Sequence, residues 1–165
     1  MDGLKKVKRI FDNAIDNLIA IFIAVMCIIV AATVFTRYFF SYTPRWSSEV
    51  SLLLLVWVGF IGIAVGFRDK LHIGVGALVA IMPKKVQTLC DIIAKILVIL
   101  VAIVFIFYGL RFTALMGGST MPGTGLPQSV LYGAIPATGI LMLIYGIELL
   151  FKKGMHQEWD EQIEE

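Results

Sequence analysis

Between Glu49 and Arg68 the chain runs from Val50 to Phe67 without one charged side chain. Few folds accept such a run. An α-helix rising about 1.5 Å per residue would carry these residues across most of the ~30 Å hydrocarbon layer of a bilayer. In a water-soluble domain the same helix would have to be buried on every side. Charge brackets the run and never enters it. Arg45, Trp46 and Glu49 stand at one end and Arg68, Asp69, Lys70 and His72 at the other, the placement expected of interfacial anchors. The stretch reads as a transmembrane helix with both ends marked.

The rest of the chain repeats the pattern. Of 165 residues 59% are hydrophobic and only 16% charged, so residues 1–165 read as a single all-α membrane domain. Apolar runs place four transmembrane helices at about 15–36, 47–67, 88–110 and 128–151. The first ends in Arg37, Tyr38, Phe39, Phe40 and Tyr42, a positive charge with an aromatic belt, and Pro44 breaks the connection to the second. The run Ile73 to Met82 is too short to span and stops at Pro83. It is expected to form a short interfacial helix or re-entrant turn between helices two and three, held at the headgroups by Lys84 and Lys85.

Upstream, Leu4, Val7, Phe11, Ile15 and Leu18 share one helical face. This segment either lies on an anionic membrane surface or extends the first helix. The basic start resembles a signal peptide, but the apolar run is too long and lacks a small-residue cleavage site, so it is expected to be retained as the first span. Asp91 and Lys95, four apart, are spaced to pair along helix three. The Gly- and Pro-rich stretch from Arg111 to Gln128 reads as a flexible surface connection, and Pro136 as a kink inside helix four. Residues 152–165 form an acidic tail, frayed or loosely helical.

Basic residues orient the chain. Lys5, Lys6, Lys8 and Arg9 precede helix one; Arg68, Lys70, Lys84 and Lys85 lie between helices two and three; Lys152 and Lys153 follow helix four. The opposite connections hold only Arg37, Arg45 and Arg111, so the positive-inside rule puts both termini and the acidic tail in the cytoplasm.

A chain that moved a polar solute by itself would need a partner for it near the midplane, such as a carboxylate or a polar cavity. Asp16, Glu49, Arg68, Asp69, Asp91, Lys95, Arg111 and Glu148 all fall near helix ends instead. This weighs against the alternative of a small self-contained four-helix exporter working as a dimer. No nucleophile with a base, metal-ligand cluster or phosphate-binding loop occurs, and His72 and His156 are single and far apart, so neither a catalytic role nor a cofactor is expected. Cys27 and Cys90 lie at different depths and form no CxxC pair. Two free thiols follow, which argues against a quinone-linked thiol oxidase. The net charge of +2 is too small to indicate nucleic acid.

Small residues mark close helix contacts. Gly62 and Gly66 form a GxxxG pair with Gly59 on nearly the same stripe, and Gly133 and Ala137 repeat the spacing on helix four. Such stripes serve either packing among the four helices or docking of another membrane subunit. Trp46, Trp57 and Phe60 share part of one face of helix two and could anchor it in lipid.

Taken in order, Arg37-Tyr38, Trp46 with Glu49, Trp57, Gly59 and Gly62, Arg68, His72-Ile73 and Pro83 resemble the DctQ-like small membrane subunit of TRAP transporters. Leu126-Pro127 and Tyr132-Gly133-Ala134-Ile135-Pro136 continue the match, which covers about residues 18–150. Two positions depart from that family's pattern, Ser48 beside Glu49 and Gly76 after the His-Ile pair. The resemblance is to the separate small subunit and not the fused form. It implies a three-part uptake system of the prokaryotic inner membrane for carboxylates such as C4-dicarboxylates, keto acids, sugar acids or sialic acid. In such a system a periplasmic substrate-binding protein captures the solute and a large sodium-coupled membrane subunit moves it, while the small subunit attaches to the large one. Partners expected on this basis are the large subunit, the binding protein and membrane phospholipids. The candidate anchoring residues are Arg37, Arg45, Trp46, Glu49, Trp57, Arg68, Asp69 and His72, with Glu49 set against Arg45 or Arg37 and Arg68 against Asp69.

Overall fold

A computed structural model describes residues 2–68 and 84–151, all in helices and their connections. The interfacial segment between helices two and three, Asp69, His72 and the acidic tail lie outside the described residues, as do the side chains of Lys84, Lys85 and Asp91. Among the described residues four stretches are long and apolar enough to cross a membrane: Lys8–Phe40, Arg45–Arg68, Ile92–Gly118 and Ser129–Glu148.

The first helix, α1 (Asp2–Phe40), runs unbroken for 39 residues, about 58 Å, so the amphipathic start is a straight extension of the first span. Thr33 and Thr36 donate their hydroxyls to the carbonyls of Ile29 and Thr33 within the helix, which removes the cost of carrying them through hydrocarbon. Ser41 ends α1 in a left-handed conformation, φ 52°. Pro44 then starts α2 (Arg45–Arg68), its carbonyl accepting from both the amide and the hydroxyl of the buried Ser47.

The third helix, α3 (Lys84–Leu115), continues into a 3-10 turn at Met116–Gly118. The fourth span is disturbed at one position: a single turn, α4 (Ser129–Tyr132), is followed by α5 (Ala134–Phe151), with Gly133 between them still helical and bonded to Ser129 and Ala137. The disturbance falls at Gly133, three residues before the expected kink at Pro136. A proline has no N–H for the carbonyl four residues earlier and its ring crowds that carbonyl, here Tyr132, so the disruption appears one turn upstream of the proline itself.

Side by side the long helices form a row: α1 packs on α2, α2 on α5, and α5 on α3. The closest seam is between α3 and α5. A Cβ added to Gly139 would lie 2.9 Å from the Ile106 amide nitrogen and 3.0 Å from the Ala102 carbonyl; one on Gly109 would lie 3.0 Å from Pro136. Gly146 meets Ile99 one helical repeat further along. In lipid, where apolar burial gives helices no drive to associate, such close backbone approach supplies the attraction. The small core is made of Ile15 from α1, Ile61 and Ala64 from α2, Ala102 from α3, and Met142 and Tyr145 from α5.

Candidate functional site

The polar side chains collect at the two ends of the row. At the end nearer both termini, three helices share one network. Arg68, at the last residue of α2, donates to Asp16 at 2.8 Å, reaches the Asp12 carboxylate at 3.9 Å and lies 3.5 Å from the Asp12 carbonyl oxygen. The Tyr145 hydroxyl of α5 donates to the same Asp12 carboxylate at 3.0 Å, and Lys8 pairs with Glu148. Arg68 keeps only 12% of its side chain exposed, so its charge is met by protein groups more than by solvent. The expected partner, Asp69, lies outside the described residues; the pairs that are described cross between helices.

At the other end Glu49 performs a different task from the expected one. It takes neither Arg37 nor Arg45 as partner. Its carboxylate accepts the amides of Gly123 and Thr124, both at 2.7 Å, and the Thr124 hydroxyl at 2.9 Å. Arg37 and Arg45 are exposed, in the last turn of α1 and the first turn of α2.

The connection those amides belong to is not the flexible loop its composition suggests. Ser119 and Gln128 are joined by a 2.8 Å backbone bond, and Met121 accepts from Gly125 and donates to Leu126, each at 2.8 Å, which makes a tight hairpin. Gly125 supplies the left-handed turn at φ 73°, and Met121 tucks its side chain inward at 6% exposure. Gly123 lets the hairpin touch the start of α2: a Cβ there would come within 2.7 Å of the Arg45 carbonyl. Glu49 thus fastens a turn between α3 and α4 to the start of α2.

Trp57, expected as a lipid anchor, donates its indole N–H to the Val130 carbonyl at 3.0 Å. This joins α2 to the single turn beside Gly133. Trp46 is exposed at the start of α2. Among the expected packing residues, Gly59, Gly62 and Gly66 have no described neighbour within 4 Å of where a Cβ would stand, so among the described residues no other helix packs against them. Gly133 meets its own helix turn at Ser129 and the Trp57 ring at 3.9 Å, and Ala137 lies half-buried on α5. The internal seam uses Gly109, Gly139 and Gly146 instead. Their signal was present as a seven-residue repeat, Ala102 and Gly109 on one helix and Gly139 and Gly146 on the other. Asp12 and Asp16, four apart on α1, likewise form an acidic face that Arg68 could have been matched to.

Among the described residues no group of three or more His, Cys, Asp or Glu side chains is placed to hold a metal ion, and Cys27 and Cys90 are free. The fold and its polar ends define a multi-pass helical membrane protein whose charged groups fasten helices to one another.

The comparisons specify the class. The model of the DctQ component of tripartite ATP-independent periplasmic transporters matches residues 26–153. A putative TRAP transporter small permease protein of Haemophilus influenzae is 31% identical over 128 residues, covering 77% of each chain. The sialic acid TRAP transporter permease protein SiaT of another Haemophilus influenzae strain is 29% identical over 81% of this chain; the chain spans only 22% of that relative's length. The ectoine TRAP transporter small permease protein TeaB of Halomonas elongata is 25% identical, covering 90% of this chain and 79% of the relative. The chain belongs to the DctQ family of TRAP transporter small membrane subunits. It is therefore a transporter component and not an enzyme, and a multi-pass protein of the bacterial inner membrane.

Proposed function

We propose that the chain is a non-conducting scaffold, holding a large TRAP membrane subunit that carries the solute and couples it to sodium, with both termini cytoplasmic. The observation that carries this reading is the separation of chemistry along the membrane normal. Lys8, Asp12, Asp16, Arg68 and Glu148 sit at one end and Glu49 with its hairpin at the other, while the described core between them is aliphatic, aromatic and small, with the uncharged hydroxyl of Thr138 buried in it. A solute with charge finds no partner there.

The open stripe of Gly59, Gly62 and Gly66 on α2 is the face offered to a helix of the large subunit, because small residues unopposed by any described residue allow a backbone from outside to approach. Trp46 and the exposed Arg37 and Arg45 set the depth of that face in the bilayer. Asp69 and His72 would do the same at the opposite interface. The hairpin at 119–128, fixed by Glu49, would present a shaped surface to the periplasmic substrate-binding protein. An organic acid such as a C4-dicarboxylate or sialic acid is the proposed cargo, and the relative named for sialic acid supports that class.

Uptake into proteoliposomes tests the scaffold role. Vesicles holding the large subunit with this chain and the binding protein should accumulate labelled sialic acid or succinate under a sodium gradient, and vesicles holding this chain alone should not. Accumulation by this chain alone would overturn the reading and favour the self-contained exporter.

A further inference from the structure

Along the half of α3 distant from the termini runs a recess of about 430 Å³, lined by Ile103, Ile106, Phe107, Leu110 and Arg111. Steps of three and four residues put all five on one face of the helix. Ile106 touches the Gly139 position, so the recess opens beside the α3–α5 seam; Ile103, Phe107, Leu110 and Arg111 are exposed. Apolar side chains make the wall, and the single cation stands at the end nearer the hairpin.

Arg111 is held there in a particular way. Its guanidinium carbon lies 5.4 Å from the centroid of the Phe107 ring, within cation–π range, so the charge is folded back along its own helix. Among the described residues, Arg111 takes part in no ion pair. It lies seven residues before the far end of the apolar stretch Ile92–Gly118, about 10 Å of helix, so a long side chain there is within snorkelling reach of the headgroups. A cation at that depth beside an apolar trough meets phosphodiesters, and an Arg fork matches phosphate oxygens in geometry as well as charge.

We propose that this face of α3 is a phospholipid site in the leaflet opposite the termini, with the phosphodiester on Arg111 and one acyl chain laid along Ile103, Ile106, Phe107 and Leu110. The site stands apart from the subunit reading, since it is built from α3 alone. The lipid fills the trough next to the seam, and the preset guanidinium lowers the ordering cost of holding the headgroup.

Native mass spectrometry of the full chain in mild detergent, with added phosphatidylglycerol, reads the bound lipid directly. One lipid should remain on the wild type, with Arg111→Gln retaining at least fivefold less, Phe107→Ala at least twofold less, and Ser48→Ala, near the start of α2, unchanged. Diacylglycerol, which has the chains without the phosphate, should not be retained. Equal retention by wild type, Arg111→Gln and Phe107→Ala overturns the site, as does equal loss in Ser48→Ala, equal retention of diacylglycerol, or a chain dimer that excludes lipid.

Discussion

Glu49 shows how one carboxylate near a membrane surface can order a connection that its composition would leave loose. It accepts three donors from Gly123 and Thr124, and an ionised carboxylate is the side chain best suited to that, being an acceptor on both oxygens. Glutamine keeps the size but turns one oxygen into a donor facing an amide N–H. In Glu49→Gln the amides of Gly123 and Thr124 should exchange hydrogen at least several-fold faster, read by hydrogen-exchange mass spectrometry, while α3 amides near Ala102 stay as slow as before. The role of Glu49 was not legible in the sequence because its partners are backbone groups 74 and 75 residues away, which no side-chain pattern reports. Its nearness to Arg37 and Arg45 in the sequence pointed elsewhere.

Among elements, the spans themselves were legible and their joints were not. Charge-free runs with basic or aromatic ends define α1, α2 and α3, because the bilayer imposes length and apolarity on any helix crossing it. Which helix touches which depends on a few close contacts that hydropathy does not encode. The GxxxG motif on α2 drew attention, yet the seam formed on Gly139 and Gly109 of other helices. Gly139→Ala should lower stability by about 1–3 kcal/mol, the cost of overpacking a filled contact, seen as a reduced melting temperature in detergent.

Arg68→Gln leaves Asp12 and Asp16 without their cation and should cost about 1–3 kcal/mol. Asp12→Asn and Tyr145→Phe should be less than additive when combined, since the two side chains share one hydrogen bond. Full additivity in thermal unfolding would show that the hydroxyl and the carboxylate act independently.

At the scale of the molecule, helices in a row leave most side chains facing outward. Leu52, Leu55 and Ile63 are exposed beside the open glycines of α2, on the side away from Leu54, Ile61 and Ala64. A lipid-facing surface tolerates that apolarity, but three glycines on one stripe give lipid little to pack against and a neighbouring helix a great deal. The account therefore requires a large companion on this face. The most direct measurement is the mass of the complex extracted in mild detergent after coexpression of this chain with a large TRAP membrane subunit. The wild type should elute with that subunit, and Gly62→Leu should elute without it at an unchanged melting temperature. Elution of the wild type alone, or a Gly62→Leu chain that keeps the large subunit fully bound, would contradict the account.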